Sequence, residues 1–154
     1  VAEWTTGKQG SDPYDLNRFL QAQANNYAQA FLEIQQGHKR SHWMWYVFPQ
    51  FDGLGRSAMS QQYAIKSVAE ATAYLTHPVL GVRLVQCGET VLQIQHRTAY
   101  EIFGSPDDQK LQSCATLFAA VSPAGSVFHQ ILDRYFQGEG DRKTLSLIES
   151  GSQS

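Results

Sequence analysis

The 154-residue chain is 42% hydrophobic and 12% aromatic, which suits one domain with a real core and excludes an intrinsically disordered chain. Twelve basic and fourteen acidic residues leave a net charge of −2. No strong positive field gathers polyanions, so nucleic acid is not an expected partner.

Residues 1–11 are polar and glycine-containing, with an isolated Trp4, and read as a flexible arm. Asp12 is placed to cap a helix, Pro13 suits its first position and Asp15 adds negative charge to the first turn. Leu16, Phe19, Leu20, Tyr27, Phe31 and Ile34 then recur at steps of three and four, which predicts one amphipathic helix ending near Gly37. Ser67 and Glu70 form a capping-box pattern ahead of Val68, Ala71, Tyr74 and Leu75. Pro78 opens a further helical stretch through Leu84 to Ile94, weakened by Gly81 and Gly88 at about 1 kcal/mol each relative to alanine. Thr98–Phe103 reads as a short helix stopped by Gly104. Ser105-Pro106-Asp107-Asp108 starts another, broken at Ser122-Pro123. The next runs from Val127 to Phe136 and ends at Gly138 and Gly140, and a short turn over Asp141–Ile148 precedes a polar tail. Nothing alternates strand with helix, so the expected fold is all-α, a single multihelical globular domain over residues 12–149, with flexible termini at 1–11 and 150–154.

One segment stands apart. Ser41–Ser57 holds two of the three tryptophans beside a His38-Lys39-Arg40-Ser41-His42 run. The apolar residues from Trp43 to Phe48 are continuous, so periodicity cannot distinguish a buried strand from a short buried helix. As core, the segment needs no ligand. As a cleft, it offers Trp43, Trp45 and Tyr46 as walls, with His42, Gln50, Arg56 and Ser57 as polar points and Tyr63 alongside. Rings beside a cation suit a nucleotide-like or phosphorylated ligand.

Sharper motifs fail. Gly53-x-Gly55-x-x-Ala58 formally matches a dinucleotide fingerprint, but the chain lacks the strand–helix–strand unit that the motif needs. His38 and His42 have the spacing of two ligands on one helix face, without the glutamate that a zinc protease places after the first. His77, His96 and His129 are isolated, so no metal and no cofactor is expected. Cys87 and Cys114 are too few for a zinc framework and read as buried thiols of a reducing compartment. No nucleophile elbow occurs. Asp107, Asp108 and Glu101 are candidate acids or bases, although a first helical turn already accounts for the two aspartates.

Several uncommon words occur in order: Asp12-Pro13-Tyr14-Asp15-Leu16-x-Arg18-Phe19, Lys39-Arg40-Ser41-His42-Trp43-Met44-Trp45, Phe48-Pro49-Gln50 and Gly53-Leu54-Gly55-x-Ser57. His77-Pro78-x-Leu80-Gly81-x-Arg83-Leu84 and Ile102-Phe103-Gly104-x-Pro106-Asp107-Asp108-x-Lys110-Leu111 continue the series. With these words the chain resembles domain-of-unknown-function family 1810. The resemblance implies a mainly α-helical monomeric domain and lends no catalytic residue.

The expectation is therefore a protein that binds or processes a small nucleotide-like or phosphorylated molecule at Ser41–Ser57. Arg56 and His42 would meet an anionic group while Trp43 or Trp45 stacks on a ring. The alternatives are a non-catalytic protein-interaction module and, less favoured, a nucleic-acid accessory protein using Lys39 and Arg40. No apolar run reaches the roughly 18–20 residues of a membrane span, and Val1–Gly10 lacks a signal-peptide core, so the expected location is cytoplasmic.

Overall fold

The protein is described by a computed structural model covering residues 12–152; the arm expected at 1–11 lies outside the described residues. Ten helices form among them: α1 (Asn17–Ala24), α2 (Tyr27–Gln35), α3 (Met44–Val47), α4 (Ala58–Gln62), α5 (Val68–Thr76), α6 (Leu80–Gln93), α7 (Ala99–Phe103), α8 (Asp107–Ala119), α9 (Val127–Phe136) and α10 (Arg142–Ser152). The described residues form no strand, only an isolated parallel bridge between Phe51 and Ile65. The fold is all-α, as expected. No helix among the described residues is long and apolar enough to cross a membrane.

Helix α8 is the centre. Every residue from Ser113 to Phe118 is buried, the pattern of a helix surrounded by others. It packs against α5, α7, α9 and α10, while α6 packs against α2, α5 and α9. Phe118 bridges two of these contacts, with its ring centroid 5.6 Å from Tyr74 of α5 and 5.5 Å from Phe128 of α9.

The single N-terminal helix expected up to Gly37 is two. Asn25 and Asn26 interrupt it, and the Asn26 side chain donates to the Ala22 carbonyl at 3.0 Å. Asparagine offers the backbone such local alternatives to the helical ladder. The start also differs. Asp12–Asp15 forms a turn, and the Asp12 carboxylate accepts from the amides of Leu16 (2.8 Å) and Asn17 (3.0 Å). Asp12 thus lies before the helix, whose N-cap is Leu16, and Pro13 and Asp15 sit in the preceding turn rather than in the first helical turn. At the other end, α10 runs to Ser152 and not only through a turn at 141–148.

Several short-range signals hold. Ser67 accepts from the Glu70 amide at α5, Thr98 and Glu101 complete a capping box at α7, and Gly104 (φ 74°) ends α7. The Glu70 carboxylate, however, turns to the Lys66 amide (2.9 Å) and to the Arg18 guanidinium (2.7 Å). Arg18 also donates to the carbonyls of Tyr14, Asp15, Gln62 and Ala64. One guanidinium therefore joins the start of α1 to the connection between α4 and α5.

Gly81 is not a weak point in α6 but a contact. A Cβ there would lie 1.9 Å from the Leu75 carbonyl oxygen, because the backbone of α6 crosses the end of α5 directly. Gly81→Ala is expected to lower stability by about 3 kcal/mol, since the helix-propensity gain is smaller than the overpacking penalty. Urea denaturation would show it as a lower midpoint, whereas a midpoint at or above the wild-type value would mean the crossing is looser than described.

Candidate functional site

Helix α2 buries Ala30, Glu33 and Ile34 on one face, and Gly37 just beyond its end is buried too. Glu33 is 1% exposed, and its carboxylate organises the loop that follows. Oε1 accepts from the amides of Arg40 (2.7 Å) and Ser41 (3.0 Å) and from the Trp43 indole N–H (2.8 Å). Oε2 accepts from Gln29 Nε2 (2.8 Å) and from the Ser41 hydroxyl. Burial alone would raise this carboxyl's pKa. The hydrogen bonds from Gln29, Ser41 and the two amides outweigh it and hold the group well below the ordinary carboxylate range.

The loop then turns Lys39 toward α8. Its amide donates to the Ile102 carbonyl (2.7 Å), and its ammonium donates to the Ser41 carbonyl (2.6 Å) and pairs with Asp107 at 2.7 Å. Lys110, one turn along α8, pairs with the other Asp107 oxygen at 3.0 Å. Burial raises the Asp107 pKa, but the two ammonium groups lower it by more, so it stays ionised. Lys110 Nζ also lies 4.0 Å from the centre of the Trp45 ring, a cation–π contact.

The Ser41–Ser57 segment forms α3, a single turn, followed by an extended stretch. Its two tryptophans separate. Trp43 is 2% exposed and packs with Phe48 and Phe103 in the core. It is therefore not a cleft wall: the Glu33 bond that satisfies its N–H also fixes it inward. Tyr46 is likewise buried, its hydroxyl donating to the His42 carbonyl (3.1 Å) and its ring 5.4 Å from Tyr63. Trp45 is half-buried, with Lys110 above it and its ring edge 3.4 Å from where a Cβ on Gly55 would stand. His42 and Arg56 are exposed, and Tyr63 is half-buried. Ser57 is exposed too, but its hydroxyl accepts from the Ser60 amide (3.1 Å) as the cap of α4.

Gln50 is buried, and its backbone carbonyl accepts from Ile65 (2.9 Å) beside the Phe51 bridge. Its side-chain Nε2 is a buried donor with no partner. The three acid/base candidates are engaged. Glu101 closes the α7 capping box, Asp107 holds two lysines, and Asp108 accepts from the Gln109 amide. No group of three metal-ligating side chains forms among the described residues.

Two surface concavities lie elsewhere. One of about 440 Å³ has an apolar lining that includes Leu75, Val85, Leu92 and Phe128. The other, of about 310 Å³, is lined by His96, Arg97, Thr98, Glu101, Arg134 and Tyr135. Sequence reasoning missed Glu33, Lys39 with Lys110, and the second concavity. Only Glu33 left a signal, as a charge at a stripe position among Ala30, Ile34 and Gly37.

An all-α domain packed around α8, with a buried carboxylate that orders the loop after α2, is the class that fold and site define. The chain belongs to the family described as "Protein of unknown function (DUF1810)", whose family model matches residues 13–148. It is similar to the conserved hypothetical protein Rv1873 from Mycobacterium tuberculosis, whose crystal structure it matches with 48% identity and a TM-score of 0.88. That match covers 90% of this chain and 99% of the other. A comparison with curated proteins finds no match.

Glu33→Gln is expected to lower stability by about 2 kcal/mol, because a carboxylate oxygen facing two donors becomes a donor. The pH dependence follows from the depressed pKa. Glu33 contributes fully above the ordinary carboxylate range, and its contribution is lost as the pH falls through and below that range. Thermal melts from pH 7 down to about pH 2 should therefore show a shallower loss in Glu33→Gln than in the wild type, with Asp107 supplying part of the remaining slope. Parallel slopes would contradict the role given to Glu33.

Proposed function

We propose that the protein binds a small anionic, ring-bearing molecule, nucleotide-like or phosphorylated, at the exposed side of Ser41–Ser57. The observation that carries this reading is Gln50 Nε2, a buried donor without a partner. Leaving such a donor unmade costs about 1–3 kcal/mol, which a ligand oxygen would recover once the segment parts enough to admit it, since the donor lies beneath the surface. In the same segment Trp45 keeps an accessible ring under the Lys110 ammonium, and His42 and Arg56 are exposed nearby in sequence. Trp43 and Tyr46 support this surface from inside and do not contact the ligand. The engaged state of Glu101, Asp107 and Asp108 favours binding over acid–base chemistry.

A specific observation favours a second reading, a non-catalytic protein-interaction module. Neither of the two concavities described above is lined by Ser41–Ser57, and a protein partner, unlike a small molecule, needs no concavity there.

Titration with AMP, ADP-ribose and ribose 5-phosphate, followed by tryptophan fluorescence and thermal shift, tests the choice. One of them should bind saturably, and Gln50→Leu and Trp45→Ala should abolish the signal. Gln50→Leu should at the same time raise the stability of the free protein, because an apolar side chain of similar size leaves no donor unpaired. Silence across all three compounds, or binding indifferent to both substitutions, would remove the small-ligand reading and leave the interaction module.

A further inference from the structure

A concavity away from Ser41–Ser57 has a polar lining in which three of the six residues are charged. Its volume is about 310 Å³, and its lining unites His96 and Arg97 with Thr98, Glu101, Arg134 and Tyr135. The two guanidinium groups are held there for different reasons. Arg134 donates to the carbonyls of Leu92 (2.8 Å) and Ile94 (2.9 Å) at the end of α6. That uses two of its five N–H donors and fixes the plane of the rest. Arg97 runs its stem past Gly37, where a Cβ would lie 3.6 Å from Cδ, and has only a 3.5 Å contact with the Glu101 carbonyl. His96 occupies the left-handed backbone region at φ 65°, and its ring makes no hydrogen bond with the described residues. A non-glycine residue held there is a recurrent feature of ligand sites.

The one acid in the lining is already committed: Glu101 Oε1 accepts from the Thr98 amide at 2.8 Å. Two guanidinium groups and an imidazole therefore face a single engaged carboxylate. We propose that this cleft binds a phosphate group, with Arg97 and Arg134 gripping its oxygens and His96 closing the side. Planar guanidinium donors match phosphate oxygens two at a time. The volume lies at the lower limit of small-molecule pockets, which suits inorganic phosphate or a small phosphate monoester and leaves no room for a dinucleotide. The site is separate from Ser41–Ser57 and does not depend on the reading given for it.

Isothermal titration of the full chain with inorganic phosphate and with ribose 5-phosphate tests the assignment and distinguishes the free ion from the ester. Saturable binding is expected, weaker at higher salt, and reduced at least about tenfold in Arg97→Met. Lys143→Met, which removes an exposed charge on α10, should leave it unchanged. His96→Ala provides a second variant should Arg97→Met fold poorly, and it too should weaken binding. Arg134 is not used, because it also holds the end of α6. No saturable binding of either compound, or equal losses in Arg97→Met and Lys143→Met, would overturn the proposal.

Discussion

Five donors converge on the Glu33 carboxylate, and much of the loop geometry described above depends on that convergence. The group is buried without a cation against it; dipoles replace its water, three on one oxygen and two on the other. The arrangement is reciprocal. Without the carboxylate, two amides, a hydroxyl, an indole N–H and a carboxamide would each lose a partner, most of them inside the protein. With it, the chain leaving α2 is clamped over Arg40–Trp43, and Trp43 is drawn into the core. Trp45, two residues further around a helical turn, is thereby sent the opposite way. One buried carboxylate decides which tryptophan is structure and which is surface.

Similar buried or half-buried polar groups explain how so many short helices hold together. Helices of four or five residues, such as α3, α4 and α7, have no independent stability in water. Polar groups tie them to their neighbours, by side chain for α3 and α4 and by a backbone amide for α7. Gln23 of α1 donates to the Tyr46 carbonyl of α3 and accepts from Arg83 of α6. Arg18 of α1 reaches the end of α4 and the loop before α5. Lys39 joins the loop after α2 to α7 through its amide and to α8 through its ammonium. Apolar burial supplies most of the stability, while these groups select one arrangement of the pieces.

That division explains what could be read beforehand. Helices α5 to α9 announce themselves by caps, prolines and three-to-four spacing, signals local to the chain. The break at Asn25-Asn26 was hidden by an apolar stripe that continues across it in register. Glu33 and Gln23 were passed over because a polar residue is ordinarily assigned to the wet face, although both stand on buried stripes, Gln23 with Leu16 and Phe19, and Glu33 with Ala30 and Ile34. Their burial depends on partners far along the chain, which spacing does not encode. The separation of Trp43 from Trp45 was equally out of reach, since a continuous apolar run has no period to divide it. Gly81 shows the reverse error, where a residue that weakens an isolated helix is the only one that lets two helices touch.

The same logic bears on function. A carboxylate that serves as acid or base works best with free oxygens and a pKa near the working pH, whereas both Asp107 oxygens are held by ammonium groups that lower its pKa. Glu101 is committed to a cap. What remains uncommitted is complementary in kind: a buried amide donor at Gln50, an aromatic face at Trp45, and the guanidinium and imidazole groups around Arg97. These groups are the ones on which the two proposed binding regions rest. Both places adjoin one structural unit, since Arg97 packs on Gly37 at the start of the loop and Trp43 lies at its end. The clamp at Glu33 fixes that loop, so one buried carboxylate sets the path of the chain from Gly37 to Trp43.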